Sequence, residues 1–174
     1  MGSRRALFLD RDGTLMVDVG YPSDPAQVIL LEGVADALRG AKELGYQLIV
    51  VSNQSGIGRG LLRTEDVERV QQRVADLLAE QGAALDAFYY CPHAPDAGCS
   101  CRKPSPELLQ TAARDRALDL SRSIMVGDKQ SDVQAGRAAG CRTVFYGSAD
   151  VAHADLVTAS WPAILAYLRG TEDP

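Results

Sequence analysis

The chain has 174 residues, 46% of them hydrophobic and 24% charged, enough to bury a core without disulfide staples and too few for two full-sized domains. Its net charge of -5 excludes the broad basic surface expected of a nucleic-acid binder or of a protein held on anionic lipid. No apolar run approaches the roughly 20 residues of a spanning helix, and Met1-Gly2-Ser3-Arg4-Arg5 leads into only four apolar residues, so the sequence reads as cytoplasmic, with no membrane partner and no feature that demands more than a monomer.

Short apolar runs alternate with longer helical patterns from end to end. Ala6-Leu7-Phe8-Leu9 is the first predicted strand and stops abruptly at Asp10. A loop from Asp18 to Val28, carrying Pro22 and Pro25, leaves the first strand end and must return past it, where it can cover a site. Glu32 to Leu44 repeats apolar residues at Val34, Leu38, Ala41 and Leu44 and stops at Gly45, the pattern of an amphipathic helix. Gln47 to Val51 is the second strand. Thr64 to Glu80 is a helix capped by Thr64, with Val67, Val70, Val74, Leu77 and Leu78 as its stripe and Gly82 beyond its end. Ala87 to Tyr90 is the third strand, Ser105 to Ala117 a helix with Pro106 near its start, and Ser123 to Val126 the fourth strand, ending at Gly127-Asp128. Ser131 to Ala139 forms a helix closed by Gly140, Arg142 to Tyr146 a fifth strand, and Trp161 to Leu168 a last helix. Strands separated by helices predict an α/β fold, a mainly parallel sheet with right-handed crossovers and helices on both faces. No linker divides residues 1–174, which therefore read as a single domain.

In such sheets ligands sit at the carboxyl ends of the strands, so the residues just past each apolar run form a list of candidates. Asp10-Arg11-Asp12-Gly13-Thr14 sets two carboxylates close together where the chain leaves the sheet. Their repulsion is relieved by a divalent cation, and Asp128 can complete an oxygen-rich site of the kind magnesium favours. Ser52-Asn53-Gln54-Ser55-Gly56 offers a hydroxyl and free backbone N–H groups suited to a phosphoryl oxygen. Arg102-Lys103-Pro104 adds two cations, one of which can neutralise a transferring phosphoryl group. Each block alone also fits a plainer role: Asp before Gly is ordinary turn chemistry, Ser and Asn commonly form turns before helices, and a basic pair is often simply solvated. Asp132 reads as a cap of the helix that follows it.

Together, and in this order, the four blocks resemble the haloacid dehalogenase superfamily of phosphatases over essentially the whole chain. The resemblance implies a three-layer Rossmann-like fold without a large cap domain. It implies that Asp10 attacks phosphorus and that Asp12 protonates the leaving alkoxide and then activates water, while Ser52 and Lys103 hold phosphoryl oxygens. It assigns magnesium to the Asp10 side chain, the Asp12 main-chain carbonyl and the Asp128 side chain.

Cys91-Pro92-His93, five intervening residues and Cys99-Ser100-Cys101 make a Cys3His set compatible with tetrahedral zinc. With every position filled by protein the zinc reads as structural, closing loop 91–101 so that it carries Arg102 and Lys103 to the site. Reduced thiols of no consequence are the plain alternative. Cys141 reads as a small buried hydrophobe and His153 as a surface residue. Within the superfamily such a loop resembles the subgroup of heptose-bisphosphate and histidinol-phosphate phosphatases. Asp18-Val19-Gly20-Tyr21 and Asn53-Gln54-Ser55-Gly56-Ile57-Gly58-Arg59-Gly60 look like the heptose branch, since histidinol-phosphate enzymes tend to carry an Asp where Ser55 stands. The short gap from His93 to Cys99 is shared with the histidinol branch. The resemblance implies a phosphorylated sugar as substrate, contacted by Arg11, Asp18, Val19, Gly20, Tyr21, Asn53, Gln54, Ser55, Arg102 and Lys129, with Arg102 toward the distal phosphate. Some heptose enzymes have a His where Val19 stands, which removes one polar contact. A phosphorylatable receiver domain is the rival of another class. It would take its phosphate at the end of the third strand, where this chain has Cys91-Pro92-His93.

Overall fold

The computed structural model describes residues 4–171; the Met1-Gly2-Ser3 part of the N-terminal reading lies outside them. Six strands, β1 (Arg5–Leu9), β2 (Tyr46–Asn53), β3 (Ala87–Cys91), β4 (Ile124–Gly127), β5 (Arg142–Tyr146) and β6 (Leu156–Thr158), form one sheet in the order β3-β2-β1-β4-β5-β6. Every pairing is parallel, with Leu7 beside Leu48 on one side and Ile124 on the other. The helices are α1 (Val34–Glu43), α2 (Ser55–Gly58), α3 (Thr64–Ala79), α4 (Glu107–Arg116), α5 (Gln130–Ala139) and α6 (Trp161–Gly170).

The near-continuous apolar strands follow from burial on both faces. Alternation in β1 sends Leu7 and Leu9 to one side, where they meet Leu48, Val50 and Val126 under Val34 and Leu38 of α1, Val70 and Val74 of α3, and Trp161 and Ile164 of α6. Ala6 and Phe8 face the other side with Ile49, Val51 and Met125, covered by Leu108, Leu109 and Ala112 of α4 and Ala135 of α5. This is a three-layer Rossmann-like arrangement, with the chain reversing direction across the sheet at β1. The crevice that such a reversal opens lies beyond the carboxyl ends of β1, β2 and β4.

The sequence reading differs from the structure in instructive places. Thr64 does not cap α3: Arg63 is the capping residue, and the Asp66 carboxylate reaches back to accept its backbone N–H at 2.9 Å. The one-turn α2, the 3-10 turns Pro25–Gln27 and Leu120–Arg122, and the three-residue β6 carry too little periodicity to be read from sequence. Gly140 ends α5 at φ 88°, a conformation that costs a side-chain-bearing residue but not glycine.

Candidate active site

The floor of the site is a buried knot of charge. Asp10 leaves β1 with its backbone N–H donated to the Val126 carbonyl at 2.9 Å, which pins the start of the turn to β4. Lys103 Nζ donates to Asp10 Oδ1 at 2.7 Å and to the Val51 carbonyl at 2.7 Å, and pairs with Asp132 Oδ1 at 2.7 Å. Burial opposes the charge on Lys103, but the Asp10 and Asp132 carboxylates outweigh it and hold the ammonium protonated well above the usual lysine range. Asn53 fixes the Lys103 backbone from both sides, its Oδ1 accepting from the Lys103 N–H at 3.0 Å and its Nδ2 donating to the Lys103 carbonyl at 3.1 Å.

Asp128, at the end of β4, accepts from Thr14 Oγ1 at 3.1 Å. Burial first, and then the neighbouring Asp10 carboxylate, push it up to about 7. Oxygens of Asp10, Asp128 and Asp132 lie within 4.8 Å of one another. A group of hard oxygen donors with more negative charge than Lys103 can balance fits a cation such as magnesium. Gly13 makes this approach possible: its φ is 83°, and a Cβ there would stand 2.4 Å from Asp128 Oδ2.

Around Asp12 the bonds are equally dense. Its carboxylate accepts from Arg11 Nε and Nη2 at 3.1–3.2 Å and from Gln54 Nε2 at 2.9 Å, and the same Gln54 nitrogen donates to Ser52 Oγ at 2.7 Å. Above this floor opens a cavity of about 390 Å³ lined by Asp12, Asp18, Gly20, Tyr21, Asn53, Gln54, Ser55, Gly56, Arg102, Lys103, Lys129 and Ser131. Arg102 brings to it a buried Nη1 with no hydrogen-bond partner. A hollow of about 430 Å³ between α3 and the start of β3 is comparable in size, but Asp86 is bound to Lys42 there, and its lining of Glu68, Gln71 and Gln72 does not gather the carboxylates found at the strand ends.

Loop 91–101 flanks the cavity. The ligand atoms of Cys91, His93, Cys99 and Cys101 gather within 4.8 Å, with Cys91 Sγ 3.5 Å from His93 Nδ1 and 3.6 Å from Cys99 Sγ, and His93 Nδ1 3.3 Å from Cys101 Sγ. This set can hold a metal ion. The loop is tied to the residues after β2 by the Gln54 N–H on the Cys91 carbonyl and the Gly58 N–H on the Pro92 carbonyl, each at 2.8 Å.

A family model for HAD-hydrolase-like proteins matches residues 100–168. The chain is 44% identical over 137 residues to the D-glycero-β-D-manno-heptose-1,7-bisphosphate 7-phosphatase of Helicobacter pylori, an alignment spanning 78% of this chain and 79% of that protein. The chain belongs to the heptose-1,7-bisphosphate 7-phosphatase family of HAD-like hydrolases. A family member from Burkholderia mallei named for the α anomer is 42% identical, with 80% of this chain and 77% of that protein covered. Among solved structures, the D,D-heptose 1,7-bisphosphate phosphatase from B. bronchiseptica, complexed with magnesium and phosphate, matches with a TM-score of 0.86 at 29% identity over 97% of this chain and 99% of that one.

Against the family expectations, Asp10, Ser52, Lys103 and Asp128 converge at the strand ends, and Asp18, Gly20, Tyr21, Asn53, Gln54, Ser55, Arg102 and Lys129 line the cavity. Two expected substrate contacts do not. Val19 lies outside the lining and is 44% exposed. Arg11 has no exposed surface at all, since its guanidinium turns inward to Asp12 and Gln54. Asp132 is more than a cap. One carboxylate oxygen accepts from the Lys129 N–H at 3.0 Å as a cap does, while the other holds Lys103. Thr14, the last residue of the first candidate block, spends its hydroxyl on Asp128 and does not line the cavity. Cys141 is buried and His153 exposed, as their settings predicted.

Proposed function

We propose that this chain is a magnesium-dependent phosphomonoesterase that removes the C7 phosphate of D-glycero-D-manno-heptose 1,7-bisphosphate through an aspartyl-phosphate on Asp10. The observation that carries the chemistry is the Asp10 carboxylate at the cavity floor, gripped by Lys103 at 2.7 Å and crowded by Asp128. The kinship of the chain supports the substrate. An Asp10 oxygen forms a bond to phosphorus as the ester P–O bond breaks, and Asp12 gives its proton to the departing alkoxide. Asp12, now a carboxylate, then takes a proton from water; the water oxygen bonds to phosphorus, the Asp10–phosphorus bond breaks, and inorganic phosphate leaves. Lys103 and the Ser52 hydroxyl hold phosphoryl oxygens throughout, and Arg102 and Lys129 face the distal phosphate across the cavity.

The Asp10 and Asp128 carboxylates and the Asp12 main-chain carbonyl would hold magnesium, which supplies positive charge where two anions must meet. The thiolates and imidazole of loop 91–101 suit zinc. Their separations of 3.3–3.6 Å match the edges of a tetrahedron about a zinc ion, roughly 3.8 Å between sulfurs and 3.6 Å between sulfur and nitrogen. With all four corners supplied by protein the zinc is structural. The enzyme acts as a cytoplasmic monomer that supplies heptose for lipopolysaccharide core. No described helix is long and apolar enough to cross a membrane.

The test is a side-by-side measurement of kcat/KM on the α and β heptose 1,7-bisphosphates and on histidinol phosphate. Both anomers belong in it because close relatives are named for each. A higher value on either heptose bisphosphate is expected; preference for histidinol phosphate would overturn the substrate and leave the chemistry standing. Metal analysis of purified protein is expected to return one zinc per chain, lost with the fold on chelation.

A further inference from the structure

We propose that Arg11 and Gln54 are positioning residues that clamp the Asp12 carboxylate in the orientation needed for proton transfer, with Gln54 coupling it to the Ser52 hydroxyl. This rests on the reading of Asp12 as proton donor given above. Arginine is almost never fully buried unless paired, because its charge loses hydration worth several kcal/mol per ion. Arg11 is fully buried, and the bonds that compensate it all lead to site groups. Its Nε reaches both Asp12 oxygens at 3.2 Å, its Nη2 lies 3.0 Å from Asp12 Oδ2, and Nη2 also donates to Gln54 Oε1 at 3.2 Å. Its Nη1 finds no acceptor. A guanidinium retained to stabilise the core would be satisfied on every edge; here only the edge facing Asp12 and Gln54 is.

Gln54 completes the clamp. Its amide oxygen accepts from Arg11 while its nitrogen donates to Asp12 Oδ2 at 2.9 Å and to Ser52 Oγ at 2.7 Å, so both ends of the amide are used and its rotation is locked. The plane of the Asp12 carboxylate is thus set from two directions by planar groups, while Asp12 still borders the cavity. Arg11 is fully buried and does not line the cavity, so it acts only through Asp12 and Gln54. A lysine would keep the charge but lose the fork that grips both oxygens.

Leaving-group dependence separates this role from a structural one. A p-nitrophenolate departs with little help from an acid, whereas an alkoxide needs a proton in the transition state. kcat/KM reports the first phosphoryl transfer, and would be measured on p-nitrophenyl phosphate and on glycerol 2-phosphate for wild type, Asp12→Asn, Arg11→Lys and Gln54→Leu. Asp12→Asn is expected to lose far more on the alkyl ester than on the aryl one. Arg11→Lys and Gln54→Leu are expected to follow it, losing on the order of 10²-fold on the alkyl ester and less than about 10-fold on the aryl ester. Equal losses on both esters in Arg11→Lys and Gln54→Leu, beside a steep Asp12→Asn, would overturn the clamp alone. A flat response in Asp12→Asn would overturn the proton-donor reading itself. Should Arg11→Lys fail to fold, Gln54→Leu decides the matter, because it removes no buried charge.

Discussion

Replacing Lys103 by Met removes a buried cation whose three bonds, to Asp10, Asp132 and the Val51 carbonyl, all measure 2.7 Å. Two buried carboxylates are then left facing each other beside Asp128. Breaking a buried pair by removing one partner costs about 3–5 kcal/mol, and at roughly 2–4 °C per kcal/mol for a domain of this size the melting midpoint falls by roughly 6–20 °C. Magnesium should recover part of this deficit, because it supplies charge to the same oxygens. On activity, the loss of one preorganised donor to a phosphoryl oxygen corresponds to a fall of about 10²–10³ in kcat/KM. Calorimetry with and without magnesium, and phosphate release under saturating magnesium, measure both effects on one preparation. A variant that melts within about 2 °C of wild type and turns over at the wild-type rate would refute the placing of Lys103 as anchor of Asp10 and neutraliser of the phosphoryl group.

Gly13→Ala must displace Asp128, since the new Cβ would stand 2.4 Å from its Oδ2 and the backbone φ of 83° disfavours any side chain; the expected loss is about 10²-fold in magnesium-dependent turnover and about 1–2 kcal/mol in stability, read by phosphate release and urea unfolding. Cys141 offers a pH test. Burial pushes its thiol up to about 12 from the ordinary 9.0, so above about pH 9 the unfolded chain gains a thiolate that the folded chain cannot. Stability contributed by the buried neutral thiol is therefore complete below that pH and lost as pH rises. Urea midpoints from pH 8 to pH 11 should fall more steeply in wild type than in Cys141→Ala, and parallel curves would contradict the assignment. In the native state Cys141 should also resist alkylation at pH 8.

Much of the fold was legible because burial on two faces makes each strand a bare apolar run and each helix an interrupted one. The strand ends then pointed to Asp10, Ser52 and Asp128 without any view of the structure, since chemistry in an open sheet collects where apolar runs stop. What stayed hidden was whatever depends on orientation. Arg11 is expected from the family resemblance to contact substrate, yet its guanidinium turns into the protein because Asp12 and Gln54 offer it acceptors there. Asp132 reads as a cap because one oxygen is used as one, while its second oxygen meets Lys103 from a segment 29 positions away in the chain. β6 escaped because three residues pairing only with β5 leave no pattern to recognise. Thr64 misled because Asp66, two residues further on, performs the capping from inside the helix.

The covalent step on Asp10 is tested most directly by acid-quenching the enzyme during turnover of heptose 1,7-bisphosphate in magnesium and mapping phosphate by mass spectrometry. Phosphate is expected on the peptide containing Asp10, dependent on magnesium, and absent together with turnover in Asp10→Asn. Full turnover by Asp10→Asn would contradict the account.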